Sequence, residues 1–118
     1  MQKNNVNRIP TLRLNFNDLA AVRGIIRAYI TYTRRASKPT RERDAQLQVL
    51  EHLYVRLANL PATMPDVALL LSTAEVAALD CAIAGFCAFV RSKVPASHER
   101  DETLRDVEWM RLALAHML

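Results

Sequence analysis

The chain repeats itself. Shifted by 57 residues, positions 12–61 align without a gap onto 69–118, and 13 of the 50 pairs are identical. The densest stretch sets Thr40-Arg-Glu-Arg-Asp44 over Ser97-His-Glu-Arg-Asp101. Apolar positions track as well: Leu19/Val76, Val22/Leu79, Ile26/Ile83, Tyr29/Phe86 and Tyr32/Phe89. Two amphipathic helices share an apolar period for physical reasons alone. A Glu-Arg-Asp triplet in register does not follow from that period, so an internal duplication is expected.

Each copy reads as two helices. Ser72 with Glu75 three residues on, and Asn15 with Asp18, have the spacing of a capping box. Leu71/Val76 and Leu14/Leu19 occupy the staple positions around them. A capping side chain satisfies an N–H group that has no partner inside the helix. The first helix of each copy runs to about Arg35 or Ser92, and Pro39 and Pro95 punctuate the turn. The second starts at Thr40 or Ser97, with acids in its first turn that suit the helix dipole. The stretches Thr11–Leu14 and Val67–Leu71 allow a short strand before each hairpin. The expected fold is all-α: a four-helix bundle of two tandem αα-hairpins on a pseudo-twofold axis. Repeat 1 is 12–61, the linker 60–66 and repeat 2 69–118, one helical domain preceded by a mobile arm over 1–11.

Composition agrees with a packed helical chain. Hydrophobic residues make up 51% and charged residues 24%, while two glycines cannot build a phosphate loop. The opening residues hold no apolar signal segment, and the uncharged run Cys81–Val90 is too short to span a bilayer. A cytoplasmic location, no membrane partner and free, buried Cys81 and Cys87 are therefore expected. Six residues apart on a helix, the two thiols point about 240° apart and cannot bridge.

Charge is unevenly spread. Residues 1–43 carry ten Lys/Arg and two Asp/Glu, whereas 44–118 carry six and ten. On the first helix Val22, Ile25, Ile26, Tyr29 and Tyr32 form the apolar arc, with Arg23, Arg27 and Arg34 opposite. Arg35, Lys38, Arg41 and Arg43 continue this basic stripe, a candidate site for phosphate-bearing partners such as RNA or DNA. In the second copy Arg23 becomes Asp80 and Arg27 becomes Ala84. Ala77, Cys81, Ala84 and Ala88 make a strip of small residues, leaving the third helix apolar almost all round. Such a helix needs cover on both sides, which points to a twofold homodimer through that strip.

No catalytic set stands out. Glu42/Glu99 and Asp44/Asp101 sit where acids partner a helix dipole, and His52, His98 and His116 lie at no metal-ligand spacing. No metal and no cofactor are expected. The segment Arg111-Leu-Ala-Leu-Ala-His116 resembles the Arg-x4-His motif of HEPN ribonucleases, helical bundles that act as dimers. That resemblance implies Arg111 and His116 converging across a dimer to cleave RNA, and it is the minor alternative. The leading expectation is a non-enzymatic helical adaptor, homodimeric and holding an unidentified protein partner. The main alternative is a nucleic-acid-binding accessory subunit using the arginine face.

Overall fold

The computed structural model describes residues 11–61 and 66–117. The expected mobile arm lies outside them except for Thr11, as do residues 62–65 of the linker. The order is β1 (Thr11–Asn15), α1 (Phe16–Ala36), α2 (Arg41–Ala58), β2 (Asp66–Leu70), α3 (Thr73–Lys93) and α4 (His98–Ala115). The described residues are mostly helical, forming four helices and one short two-stranded sheet. "All-α" thus needs one amendment: both lead-in stretches are strands.

All four helix starts use the expected caps. Asn15 and Asp18 bond reciprocally, as do Ser72 and Glu75. The Thr40 and Ser97 hydroxyls accept from the Arg43 and Arg100 amides. The two halves also share longer-range bonds at corresponding positions. Arg34 pairs with Glu51 and Arg91 with Glu108, each tying the first helix of a hairpin to the second. Arg43 donates to the Ser37 carbonyl at 2.7 Å, and Arg100 to the Val94 carbonyl at 3.1 Å. These bonds clamp the interhelical turn around Pro39 and Pro95.

The strands pair antiparallel, with Leu12 opposite Leu69 and Leu14 opposite Val67. Leu12 and Leu69 are themselves a pair in the 57-residue alignment, so corresponding residues face each other at this one position, next to the sheet's central pair Arg13 and Ala68. Burial alternates along both strands, sending Leu12, Leu14, Val67 and Leu69 inward. A two-stranded sheet is marginal alone; here the inward side chains anchor it to the helices. They join Val22, Ile26, Leu50, Leu53, Leu57, Leu79, Ile83, Met110 and Leu114 in one core. Burying each such side chain contributes roughly 1.5–3 kcal/mol. Among the described residues the core holds no buried polar or charged residue.

Packing is less symmetric than the sequence. α1 lies on α2, α3 on α4, and α3 also lies against both α1 and α2. α4 makes no comparable contact with α1, which a regular bundle would close. A cleft of about 290 Å³ remains there, with Ala21 and Gly24 of α1 facing Thr103 and Asp106 of α4. The α2–α3 contact has a specific tie. Arg56 of α2 reaches Glu75 and the Leu70 carbonyl, both at 2.6 Å. The corresponding residue on α4 is Ala113, which cannot make that reach.

Two expected burials are corrected. Cys87 is buried, but Cys81 is exposed on the outer side of α3. Tyr32 is 61% exposed instead of filling the core, and its counterpart Phe89 is 51% exposed. Both sit at the edge of their helix's apolar arc, about 80° from its centre, and the other helices pack elsewhere.

Candidate functional site

α1 and α3 meet at a close approach. A β-carbon built on Gly85 would stand 2.9 Å from Tyr29 Cε1, so a side chain there would strike the ring. The ring is half-buried, and its hydroxyl donates weakly to Gln46 Oε1 at 3.4 Å. Beside this crossing opens a groove of about 940 Å³ between the two helices. Ile25, Tyr29, Gly85 and Phe86 are among its lining residues, and so are the exposed rings of Tyr32 and Phe89. Arg27, Arg35 and Lys93 also line it, and among the described residues no acid does. None of these three cations has an ion-pair partner among the described residues. The site is therefore apolar in its lining and positive in its charge.

The seven candidate anion-binding residues are divided by the fold. Arg27 and Arg35 line the groove, exposed. Arg34 is paired with Glu51, and Arg43 with Asp44 at 3.2 Å and with the Ser37 carbonyl. Arg23 is half-buried, and Lys38 and Arg41 are exposed around the turn. The expected continuous stripe thus loses Arg34 and Arg43 to partners in their own chain.

In the small-residue strip Ala77, Cys81 and Ala88 are exposed and Ala84 is half-buried. Ala88 also lines the groove, so strip and groove are continuous. α3 is long and apolar enough to cross a membrane by length and composition, with 39% of its most apolar window buried within the chain.

The remaining chemistry-bearing side chains are dispersed. Arg111 holds the Asp80 carboxylate with Nε at 3.0 Å and Nη2 at 3.4 Å. The hydrogen bond and charge of Asp80 raise the Arg111 pKa further above its ordinary value. His116 is the exposed C-cap of α4. Glu42, Asp44, Glu99 and Asp101 sit in the first turns of α2 and α4. Among the described residues no three His, Cys, Asp or Glu gather as a metal would need. Burial pushes the Cys87 thiol pKa up, Glu108 adds to this, and Arg91 and Arg111 oppose it. No family model, curated protein or solved structure matches the chain.

Sequence reasoning missed Tyr32, Phe86, Phe89 and Lys93 as site residues. One signal was present: an aromatic at the arc edge in both copies, Tyr32 and Phe89. An edge position becomes core or surface according to where the next helix packs.

Proposed function

We propose that this chain is a non-enzymatic helical interaction module, built by duplication of a strand-plus-hairpin unit and acting as a twofold homodimer in the cytoplasm. One observation carries the reading. The outer face of α3 is small and apolar, yet Ala77, Cys81 and Ala88 stay exposed in the single chain. Small side chains let two helix backbones approach closely, and an isologous contact is the simplest closed solution. Sedimentation equilibrium of the full chain tests it. The wild type should be dimeric, and Ala77→Arg and Ala84→Arg monomeric with unchanged helical circular dichroism. Mild oxidation should crosslink Cys81 to Cys81 of a second copy. A monomeric wild type, or an Ala77→Arg dimer, would overturn the reading.

A second reading, binding of RNA or DNA, draws on the corrected position of Tyr32. An exposed ring near Arg27 and Arg35, which have no ion-pair partner among the described residues, supplies base stacking beside phosphate contacts. Its affinity would fall steeply with salt and vanish in Arg23→Glu/Arg27→Glu. Salt-insensitive binding would sink it.

A further inference from the structure

We infer that the α1–α3 groove is a receptor for an amphipathic helix with acidic flanks. The inference rests on reading the chain as an interaction module, but not on its being a dimer. Four observations define the occupant. The groove is walled by two helices. Its apolar lining follows helical spacing, with Ile25, Tyr29 and Tyr32 on one wall and Phe86 and Phe89 on the other. An amphipathic helix laid in such a groove presents apolar side chains at i, i+3, i+4 and i+7 to match. Its volume of about 940 Å³ lies at the upper end of ligand clefts, which run roughly 300–1,000 Å³. That space suits a row of large side chains.

The charge selects the sign of the partner. Arg27, Arg35 and Lys93 line the groove without an acid among the lining residues and without an ion-pair partner among the described ones. A second copy of this groove would bring the same three cations to face them. Carboxylates flanking an apolar stripe complement them. Complementary charges at the edge of an apolar contact set specificity and encounter rate more than affinity. The apolar lining favours a protein helix over a nucleic acid, because phosphate contacts alone leave that surface unused.

Fluorescence anisotropy with two designed peptides and the full-length chain tests the inference. Both peptides carry leucines at i, i+3, i+4 and i+7; one has glutamates at the flanking positions and the other lysines. The glutamate peptide should bind at least about tenfold more tightly than the lysine peptide. Arg27→Glu/Arg35→Glu should reverse that preference. Tyr32→Ser/Phe89→Ser should weaken the glutamate peptide by about tenfold or more, with unchanged circular dichroism, because both rings are half exposed or more. Failure of the glutamate peptide to bind, equal binding of the lysine peptide, or its displacement by a single-stranded RNA oligonucleotide at equal affinity would overturn the inference. Sedimentation of the same samples keeps the two proposals apart. A monomer that binds the glutamate peptide removes the dimer and supports the groove. A dimer that does not bind it removes the groove alone.

Discussion

Tyr29 lies over Gly85, with Cε1 2.9 Å and Cδ1 3.1 Å from where a β-carbon would stand. The absent side chain lets α1 and α3 close on each other, and the ring covers the gap. In the 57-residue alignment Gly85 corresponds to Ala28 of the first copy, and Tyr29 to Phe86 of the second. Glycine inside a helix costs about 1 kcal/mol relative to alanine, so its use here is explained by the approach of the ring.

Gly85→Ala tests this directly. Helix propensity favours alanine by about 1 kcal/mol, and the collision with Tyr29 opposes it. The substitution should change stability little in the wild type. In a Tyr29→Ala background it should stabilise by the full amount, about 1 kcal/mol. Urea unfolding of the four variants gives the coupling energy. Additive effects would show that the ring and the glycine do not interact.

The two thiols should react differently. A thiol reagent should modify Cys81 rapidly in the folded protein and Cys87 only on unfolding. Linkage gives the pH dependence of Cys87. Its pKa is raised by folding, so the native state holds its proton longer than the unfolded chain. The associated stability is present below the ordinary thiol pKa and is lost as pH rises through the folded value. Cys87→Ser should remove this alkaline loss, measured as the midpoint of thermal unfolding against pH.

The capping boxes should matter independently. Asn15→Ala and Ser72→Ala should each cost about 1 kcal/mol. The caps belong to different helices, so the double variant should lose about the sum. Chemical denaturation measures all three.

Arg111 and Asp80 form a two-bond ion pair, but with 43% and 26% of their side chains exposed. Solvent screening therefore limits Asp80→Asn to a loss below about 1 kcal/mol, smaller still in high salt. The raised Arg111 pKa leaves this contribution intact below the ordinary arginine range and removes it only at still higher pH. Stability of this variant relative to wild type should thus be flat with pH around neutrality. A loss above about 2 kcal/mol would mean the pair is effectively desolvated.

α4 should open before α2. α2 packs on both α1 and α3 and is pinned to α3 by Arg56, whereas α4 packs chiefly on α3. Amide hydrogen exchange should therefore be faster around Met110 than around Leu50, although both side chains are fully buried. Arg56→Ala should narrow the difference by speeding exchange in α2. Equal protection in the wild type would contradict the packing asymmetry.

Local structure was largely legible in the chain. Asn15, Thr40, Ser72 and Ser97 begin helices because a side-chain oxygen beside free N–H groups needs no tertiary context. Leu12, Leu14, Val67 and Leu69 signalled strands by alternation, but whether those strands pair was open. Pairing is a long-range event between segments more than fifty residues apart. Tyr32 was misread because a helical wheel gives its angle and not its neighbour. Cys81 was misread for the same reason.

The sequence by itself determined where helices start, which side of each is apolar, and that two similar halves succeed one another. These depend on spacing within a few residues, and spacing is what a sequence records. Only the tertiary structure decided that α4 stays away from α1, that Arg34 and Arg43 are consumed by partners, and that Tyr32 and Phe89 join one groove. Those outcomes depend on how whole helices seat against each other. Arg56, which ties α2 to Glu75 and the Leu70 carbonyl, and Ala113 at the corresponding position of α4 mark where the two halves seat differently.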